Sequence, residues 1–167
     1  EKNYKKFIQK AKLLNNPTIE LEEVGLPHKL NWNKCKLETI SFGHGITTTP
    51  LQATALYAAI SNGGKLVAPS LIKDRKIENL KTIISSETSN KLSNILRKVV
   101  NSEHGTASLA DKDGYYVGGK TGTAESYGDK QNRLNTFISI FPTNKPKYTL
   151  FLMLENPKIN KDLIYNY

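Results

Sequence analysis

The residues with the clearest capacity for chemistry form one short run, Lys120-Thr121-Gly122-Thr123. Side chains alternate between the two faces of a β-strand, so a strand here places Lys120 and Gly122 on one face and both threonines on the other. Because Gly122 has no side chain, an extended substrate can lie close to the strand. Lys120 supplies a positive charge, the threonine hydroxyls can hydrogen-bond a carboxylate, and a free strand N–H can stabilise an oxyanion. The run predicts a strand that can bind an anionic substrate and stabilise a developing charge; the alternative is a Gly-rich edge strand with a chance lysine.

The same glycines also match a phosphate-binding pattern, G-x-x-x-x-G-K-[ST], over residues 114–121. That loop works when a buried strand leads into it and a helix begins at the lysine, so that backbone N–H groups surround the phosphates. Residues 108–113 are too polar for a buried strand, and Gly122 and Gly128 disfavour a following helix. A nucleotide-binding protein is therefore a distant alternative.

Helical patterns dominate the first hundred residues. Apolar residues at helical spacing predict a helix over residues 4–14 that a proline-containing turn ends. Residues 18–34 are expected to form a loop, with at most a short strand. Thr49 can cap a further helix with Pro50 at its first position, and the glycines after residue 61 end it.

A helix beginning at Ser86 or Ser85 and three strands are predicted for the rest of the chain. The helix carries an apolar stripe expected in the core, formed by Leu92, Ile95, Leu96 and Val99. Residues 134–141 alternate in polarity, residues 148–154 form the apolar run of a central strand covered on both faces, and residues 142–146 make the turn between them. With the strand at Lys120 these give three consecutive antiparallel strands after the helices, an α+β fold.

Composition limits the possible functions. The chain has 167 residues and 38% apolar content, enough for one domain with a core. Its net charge is +9, but the lysines are scattered without a long basic run, so no nucleic-acid partner is predicted. The three histidines lack metal-ligand spacing, and no apolar run approaches the roughly 20 residues of a membrane span.

The segment Lys120-Thr-Gly-Thr-Ala124 resembles the third motif of penicillin-binding proteins and serine β-lactamases. Further segments resemble class B penicillin-binding proteins in order and spacing: residues 41–45, 49–52, 63–69, 105–107 and 154–157. The resemblance runs over most of residues 20–157. The form Ser41-Phe-Gly-x-Gly is more similar to the septal transpeptidases than to the elongation type.

This resemblance implies a partial penicillin-binding-protein/serine β-lactamase-like fold and peptidoglycan D,D-transpeptidation at division. In the family, a serine of a Ser-x-x-Lys motif attacks the D-Ala–D-Ala bond of a stem peptide, and an amine of a neighbouring stem then takes the acyl group. Lys120 would serve the electrostatics and proton network. Thr121, Gly122 and Thr123 would bind the substrate or β-lactam, and the Thr123 N–H would form half of the oxyanion hole.

The resemblance also implies the partners, the cofactors and the cellular location of the enzyme. Peptidoglycan stem peptides, β-lactams and cell-division proteins are the expected partners, and no metal, organic cofactor or nucleic acid is expected. The expected location is the periplasmic, extracytoplasmic face of the inner membrane, with the membrane anchor outside this chain.

Two upstream motifs of the family have no convincing counterpart here. Ser70-Leu-Ile-Lys73 has the Ser-x-x-Lys spelling, but Pro69 before it and the charged residues after it leave no long buried helix. Thr88-Ser89-Asn90 only resembles Ser-x-Asn and falls at a helix start. We therefore expect residues 1–167 to be the C-terminal portion of a transpeptidase domain, inactive alone because its nucleophile lies upstream. A non-catalytic binding module of the cell-wall machinery is the alternative.

Overall fold

The computed structural model describes residues 2–32, 36–75, 81–126 and 129–158. Within these ranges helices precede strands, which confirms the predicted α+β order, and the chain divides into two compact units, Glu1–Ser86 and Glu87–Tyr167. The elements are α1 (Lys2–Lys10), α2 (Lys36–Ser41), α3 (Pro50–Ser61), α4 (Ser86–Asn101), a 3-10 turn (Ser108–Ala110), β1 (Gly118–Ser126), β2 (Asp129–Phe141) and β3 (Tyr148–Glu155).

Helix α3 begins and ends where the sequence predicts. The Thr49 hydroxyl accepts a hydrogen bond from the Gln52 N–H at 3.2 Å, and the Gln52 side chain accepts one from the Thr49 N–H at 3.1 Å. This reciprocal cap satisfies two N–H groups that lack partners within a helix. At the other end Gly63 and Gly64 adopt φ values of 63° and 86°, a left-handed conformation that stops the helix.

Gln52 also fixes the turn that follows α1. Its Nε2 donates to the main-chain carbonyls of Lys12 and Asn15, both at 2.7 Å. Lys12 has a φ of 55°, which no α-helix can continue. The predicted helix over residues 4–14 is therefore too long, because a side chain 40 residues away holds its last turn in another conformation.

The core of the first unit is built from small and branched apolar side chains. Ala11, Ala59 and Ile83 are at most 6% exposed. Partly buried residues pack around them: Phe7, Leu13, Leu56, Leu66 and Ile84. Residues 18–32 contain no strand, and the short helix α2 was not predicted, because six residues carry too little periodicity to be recognised.

Helix α4 begins at Ser86 as predicted, but its buried face differs from the predicted stripe. Ser89, Ser93, Leu96 and Val100 are buried, whereas Ile95 is 55% exposed. At Leu96 and Arg97 this face comes close to the start of β1. A Cβ added at Gly118 would lie 2.9 Å from the backbone nitrogen of Arg97 in α4. The predicted stripe therefore identified Leu96 and did not identify Ser89 and Ser93.

The three strands form one antiparallel sheet in the order β1-β2-β3, as predicted. Strand β2 begins at Asp129, before its predicted start at Leu134. The prediction of β3 as a central, covered strand is wrong for the described chain, because β3 lies at the edge of the sheet. Its side chains Leu150, Leu152 and Leu154 are 43%, 51% and 60% exposed. An apolar run in the sequence indicates a hydrophobic strand, but it does not show which residues cover that strand.

Candidate functional site

The run Lys120-Thr121-Gly122-Thr123 lies in the middle of β1, so the predicted strand is confirmed. Strand β1 pairs antiparallel with β2 along one edge, where Gly122 is opposite Thr136. Among the residues that the structure describes, no strand pairs with the other edge of β1. We call this side of β1, where the backbone N–H and C=O groups point away from β2, the free edge.

The backbone groups of Thr121 and Thr123 point to the free edge. In an antiparallel sheet the N–H and C=O of one residue point to the same side, and the side alternates along the strand. The Arg133 C=O of β2 accepts from the Asn156 N–H, just beyond β3, at 2.8 Å. The backbone groups of residues 135, 137 and 139 of β2 therefore also face β3. Those of residues 134, 136 and 138 face β1. Residues 134, 136 and 138 are opposite Ala124, Gly122 and Lys120 of β1. The backbone groups of the residues between these, Thr121 and Thr123, therefore point away from β2.

Two polar side chains of β1 have defined hydrogen-bond partners. The Lys120 ammonium group donates to the Thr121 C=O at 2.8 Å, and the Lys120 side chain is exposed. The Thr121 hydroxyl donates to the hydroxyl of Thr106 at 3.2 Å. Thr106 lies between α4 and the 3-10 turn and was not predicted as a site residue; its only sequence signal is the segment 105–107. Hydroxyl and ammonium groups are each donors suited to an anionic group such as a carboxylate.

Glycine at position 122 is favoured by the sheet as well as by the predicted access of a substrate. A Cβ at this position would lie 2.6 Å from the Thr136 Oγ1, closer than real Cβ contacts. That hydroxyl donates to the Gly122 C=O at 3.3 Å. The absent side chain therefore leaves room for a cross-strand hydrogen bond, in addition to the predicted room for a ligand.

A guanidinium group holds the chain where it enters β1. Arg97 of α4 donates to the Val117 C=O at 2.8 Å, and to both carboxylate oxygens of Asp111 at 2.8 and 3.2 Å. The backbone of Tyr116, which has a φ of 51°, is fixed as well, because its C=O accepts from the Thr143 N–H at 2.9 Å. Bidentate pairing gives this contact a defined geometry, so α4 sets where β1 starts.

Ser70 is not arranged as a nucleophile. Its hydroxyl donates to the Glu20 carboxylate at 2.6 Å, and residues 70–75 are not helical, so no helix turn presents Lys73 to it. The Ser70 hydroxyl, the Leu71 N–H and Arg75 together lower the pKa of Glu20 from 4.5 to about 2. This cluster joins two loops of the first unit and explains Ser70 as a structural residue.

Neither the Thr88-Ser89-Asn90 segment nor the phosphate-loop pattern has the geometry that its chemistry requires. Ser89 lies inside α4 and is only 2% exposed, so the segment does not form an accessible motif. The phosphate-loop hypothesis fails because Lys120 lies within a strand that continues to Ser126, and no helix begins there.

Metal-binding and membrane-spanning features are both absent from the described part of the chain. It holds no group of three or more His, Cys, Asp or Glu side chains placed to bind a metal ion. None of its helices has the length and apolar content to cross a bilayer. His44, in the segment 41–45, stacks against Phe42 with ring centroids 6.3 Å apart.

Comparison with known proteins gives a consistent result. The family described as penicillin binding protein transpeptidase domain matches residues 1–166. A relative named peptidoglycan D,D-transpeptidase FtsI homolog, from Mesostigma viride, is 29% identical over 93% of this chain and 32% of its own length. Stage V sporulation protein D of Bacillus subtilis is 35% identical over 72% of this chain and 21% of its own length. The chain thus spans about a third or less of these relatives.

A solved structure shows the same fold. Penicillin binding protein 3 from Mycobacterium tuberculosis, in complex with aztreonam, superposes with a TM-score of 0.84 at 26% identity. The superposition covers 94% of this chain and 40% of that protein. The helices and the three antiparallel strands described above therefore have a counterpart in a chain of known structure.

Proposed function

The chain belongs to the penicillin-binding protein transpeptidase domain family, and from that premise we propose that it forms the Lys-Thr-Gly wall of a serine acyl-transfer site in a peptidoglycan D,D-transpeptidase. The observation that carries the proposal is the free edge of β1, to which Thr121 and Thr123 direct their backbone groups beside the Lys120 ammonium. A strand edge of this kind can hold an extended peptide by main-chain hydrogen bonds.

Each residue of the run has a proposed role. Lys120 supplies positive charge and takes part in the proton network of acylation. The hydroxyls of Thr121 and Thr123 bind the substrate or β-lactam carboxylate, and the Thr123 N–H contributes to the oxyanion hole. The direction of the Thr123 backbone supports this last role, because an N–H facing β2 would donate a hydrogen bond to β2 and could not bind a ligand. Thr106, which pairs with Thr121, positions that hydroxyl.

We place the nucleophile outside these 167 residues. Ser70 has the required spacing to a lysine, but its hydroxyl is bound to Glu20 in a non-helical segment. The chain also covers only a part of its longer relatives. Both observations support a C-terminal portion of a transpeptidase domain that receives its Ser-x-x-Lys and Ser-x-Asn motifs from upstream sequence and does not acylate alone.

Labelling with a fluorescent penicillin tests this proposal. We expect no label on residues 1–167 alone and labelling of a protein extended upstream to include its Ser-x-x-Lys motif. In the extended protein, Lys120→Ala should slow acylation by about 10²–10³-fold, the size of effect typical for loss of one electrostatic contact to a developing charge. Lys112→Ala, at an exposed lysine before the strand, is the matched control and should change the rate by less than about twofold.

Three outcomes would contradict the proposal. Labelling of the isolated chain at Ser70 would place the nucleophile inside it. An unchanged rate in Lys120→Ala would remove the lysine from the site. An extended protein that folds but never labels would favour a non-catalytic binding module.

We further propose a role in cell division, with the enzyme at the extracytoplasmic face of the inner membrane and cell-division proteins as partners. The name FtsI of one relative supports this role, and the sporulation protein of Bacillus subtilis marks a different use of the same family. Depletion of the protein should produce filaments with unfinished septa. Normal septation after depletion would contradict the division role.

A further inference from the structure

A cavity in the first unit is not used by the proposed acyl transfer. Its volume is about 380 Å³, within the roughly 300–1,000 Å³ that is typical of small-molecule sites. Apolar side chains form much of its wall, among them Leu51 and Ala55 of α3 and Leu66 and Pro69 of the segment after α3. A ligand in this cavity would therefore exchange water for apolar contact over most of its body.

The charged residues of the wall have one sign. Lys12 and Lys81 line the cavity, and the described lining residues include no Asp or Glu. Both lysine side chains are exposed, so their ammonium groups reach solvent beside the apolar wall. Glu20, which contacts the chain just after Pro69, is already paired with Arg75. This distribution of charge is complementary to an anion.

The two lysines are anchored by the wall itself. The Lys12 C=O accepts from the buried Gln52 side chain at 2.7 Å, which ties this backbone to the first turn of α3. The Lys81 C=O accepts from the Leu66 N–H at 2.9 Å. Each lysine therefore has its main chain bonded to another residue of the lining, and the cavity needs little ordering before a ligand binds.

We propose that this cavity is a binding site for a small organic anion with an apolar body, such as an aryl or medium-chain carboxylate. The apolar body lies against Leu51, Ala55 and Leu66, and the acid group lies by Lys12 and Lys81. The proposal is independent of the acyl-transfer site, because all lining residues belong to the first unit.

Titration of the upstream-extended protein with 2-naphthoate and with neutral 2-naphthamide, followed by NMR shifts, tests the role of charge. Naphthoate should bind more tightly and shift the amide signals of the cavity lining. Replacing both lysines, Lys12→Gln with Lys81→Gln, should weaken naphthoate by roughly threefold to tenfold, as expected for two partly exposed charge pairs. Naphthamide binding should stay unchanged. Lys6→Gln, at an exposed lysine of α1 outside the lining, is the control and should leave both affinities unchanged.

Filling the cavity tests its location. Ala55→Phe places a large side chain on the wall and should abolish the binding of both compounds. If that variant fails to fold, the lysine variants still decide the question. Three results would overturn the proposal. They are equal affinity for the two compounds, unchanged naphthoate affinity in the double lysine variant, and NMR shifts confined to the second unit.

Discussion

Gly122→Ala should damage this protein in two separable ways, and only one of them, the loss of stability, should depend on the side chain of Thr136. The new methyl group would lie 2.6 Å from the Thr136 Oγ1 and would also occupy the face of β1 on which a ligand can approach. The φ of Gly122 is not in the left-handed region, so alanine brings no backbone strain of its own.

The cost to stability follows from the contact with Thr136. To escape the methyl group, Thr136 must leave its rotamer, at roughly 0.5–1.5 kcal/mol, and must give up its 3.3 Å bond to the Gly122 C=O, at about 0.5–1.5 kcal/mol. The free energy of unfolding should therefore fall by about 1–3 kcal/mol. In a Thr136→Ala background the hydroxyl is absent, and Gly122→Ala should then cost less than about 0.5 kcal/mol.

Urea unfolding of the wild type, both single variants and the double variant gives the coupling energy between the two positions. Acylation of the upstream-extended protein by a fluorescent penicillin gives the functional effect. We expect the double variant to be nearly as stable as Thr136→Ala alone but to acylate as slowly as Gly122→Ala, because the methyl group still covers the strand. Additive stabilities would refute the contact with Thr136, and a double variant that acylates at the wild-type rate would refute the need for an open strand face.

Two further predictions concern the elements that support the site. Arg97→Lys should lower the free energy of unfolding by about 1–2 kcal/mol in urea denaturation, because lysine cannot bond both oxygens of Asp111 and the Val117 C=O together; an unchanged midpoint would show that this contact is dispensable. The folded-state pKa of Glu20 is lowered from 4.5 to about 2, so its contribution to stability is full above pH 4.5 and is lost as the pH falls towards 2. The urea midpoint of Glu20→Gln should lie below that of the wild type at pH 7 and approach it near pH 2, whereas Glu103→Gln, at an exposed loop residue, should show no such convergence.

Local signals in the sequence predicted the parts of the fold that local chemistry decides. Thr49, Pro50 and the two glycines after α3 fix both ends of that helix through hydrogen bonds and dihedral angles of neighbouring residues. The strand at Lys120 was predicted for the same reason, because a helix could not continue through its glycines. The order of the strands followed from their short connections.

Contacts between distant residues decided what the sequence could not predict. The end of α1 depends on Gln52, 40 residues away, which binds the carbonyl of Lys12. The buried face of α4 includes Ser93 and leaves Ile95 exposed, which the apolar spacing of the helix alone did not predict. Thr106 joins the site only because the chain after α4 returns to β1.

The free edge of β1 also presents its hydrogen-bonding groups at a fixed spacing. Backbone groups of the same direction recur at every second residue, so those of Thr121 and Thr123 lie about 6.6 Å apart. A flexible extended peptide can match both positions at once, whatever its side chains are. An inhibitor shorter than this interval can engage only one of the two backbone positions and must rely on hydroxyl and ammonium contacts for the rest. Compounds whose acceptors are separated by one such interval should therefore gain affinity from the strand itself, without any new side-chain contact.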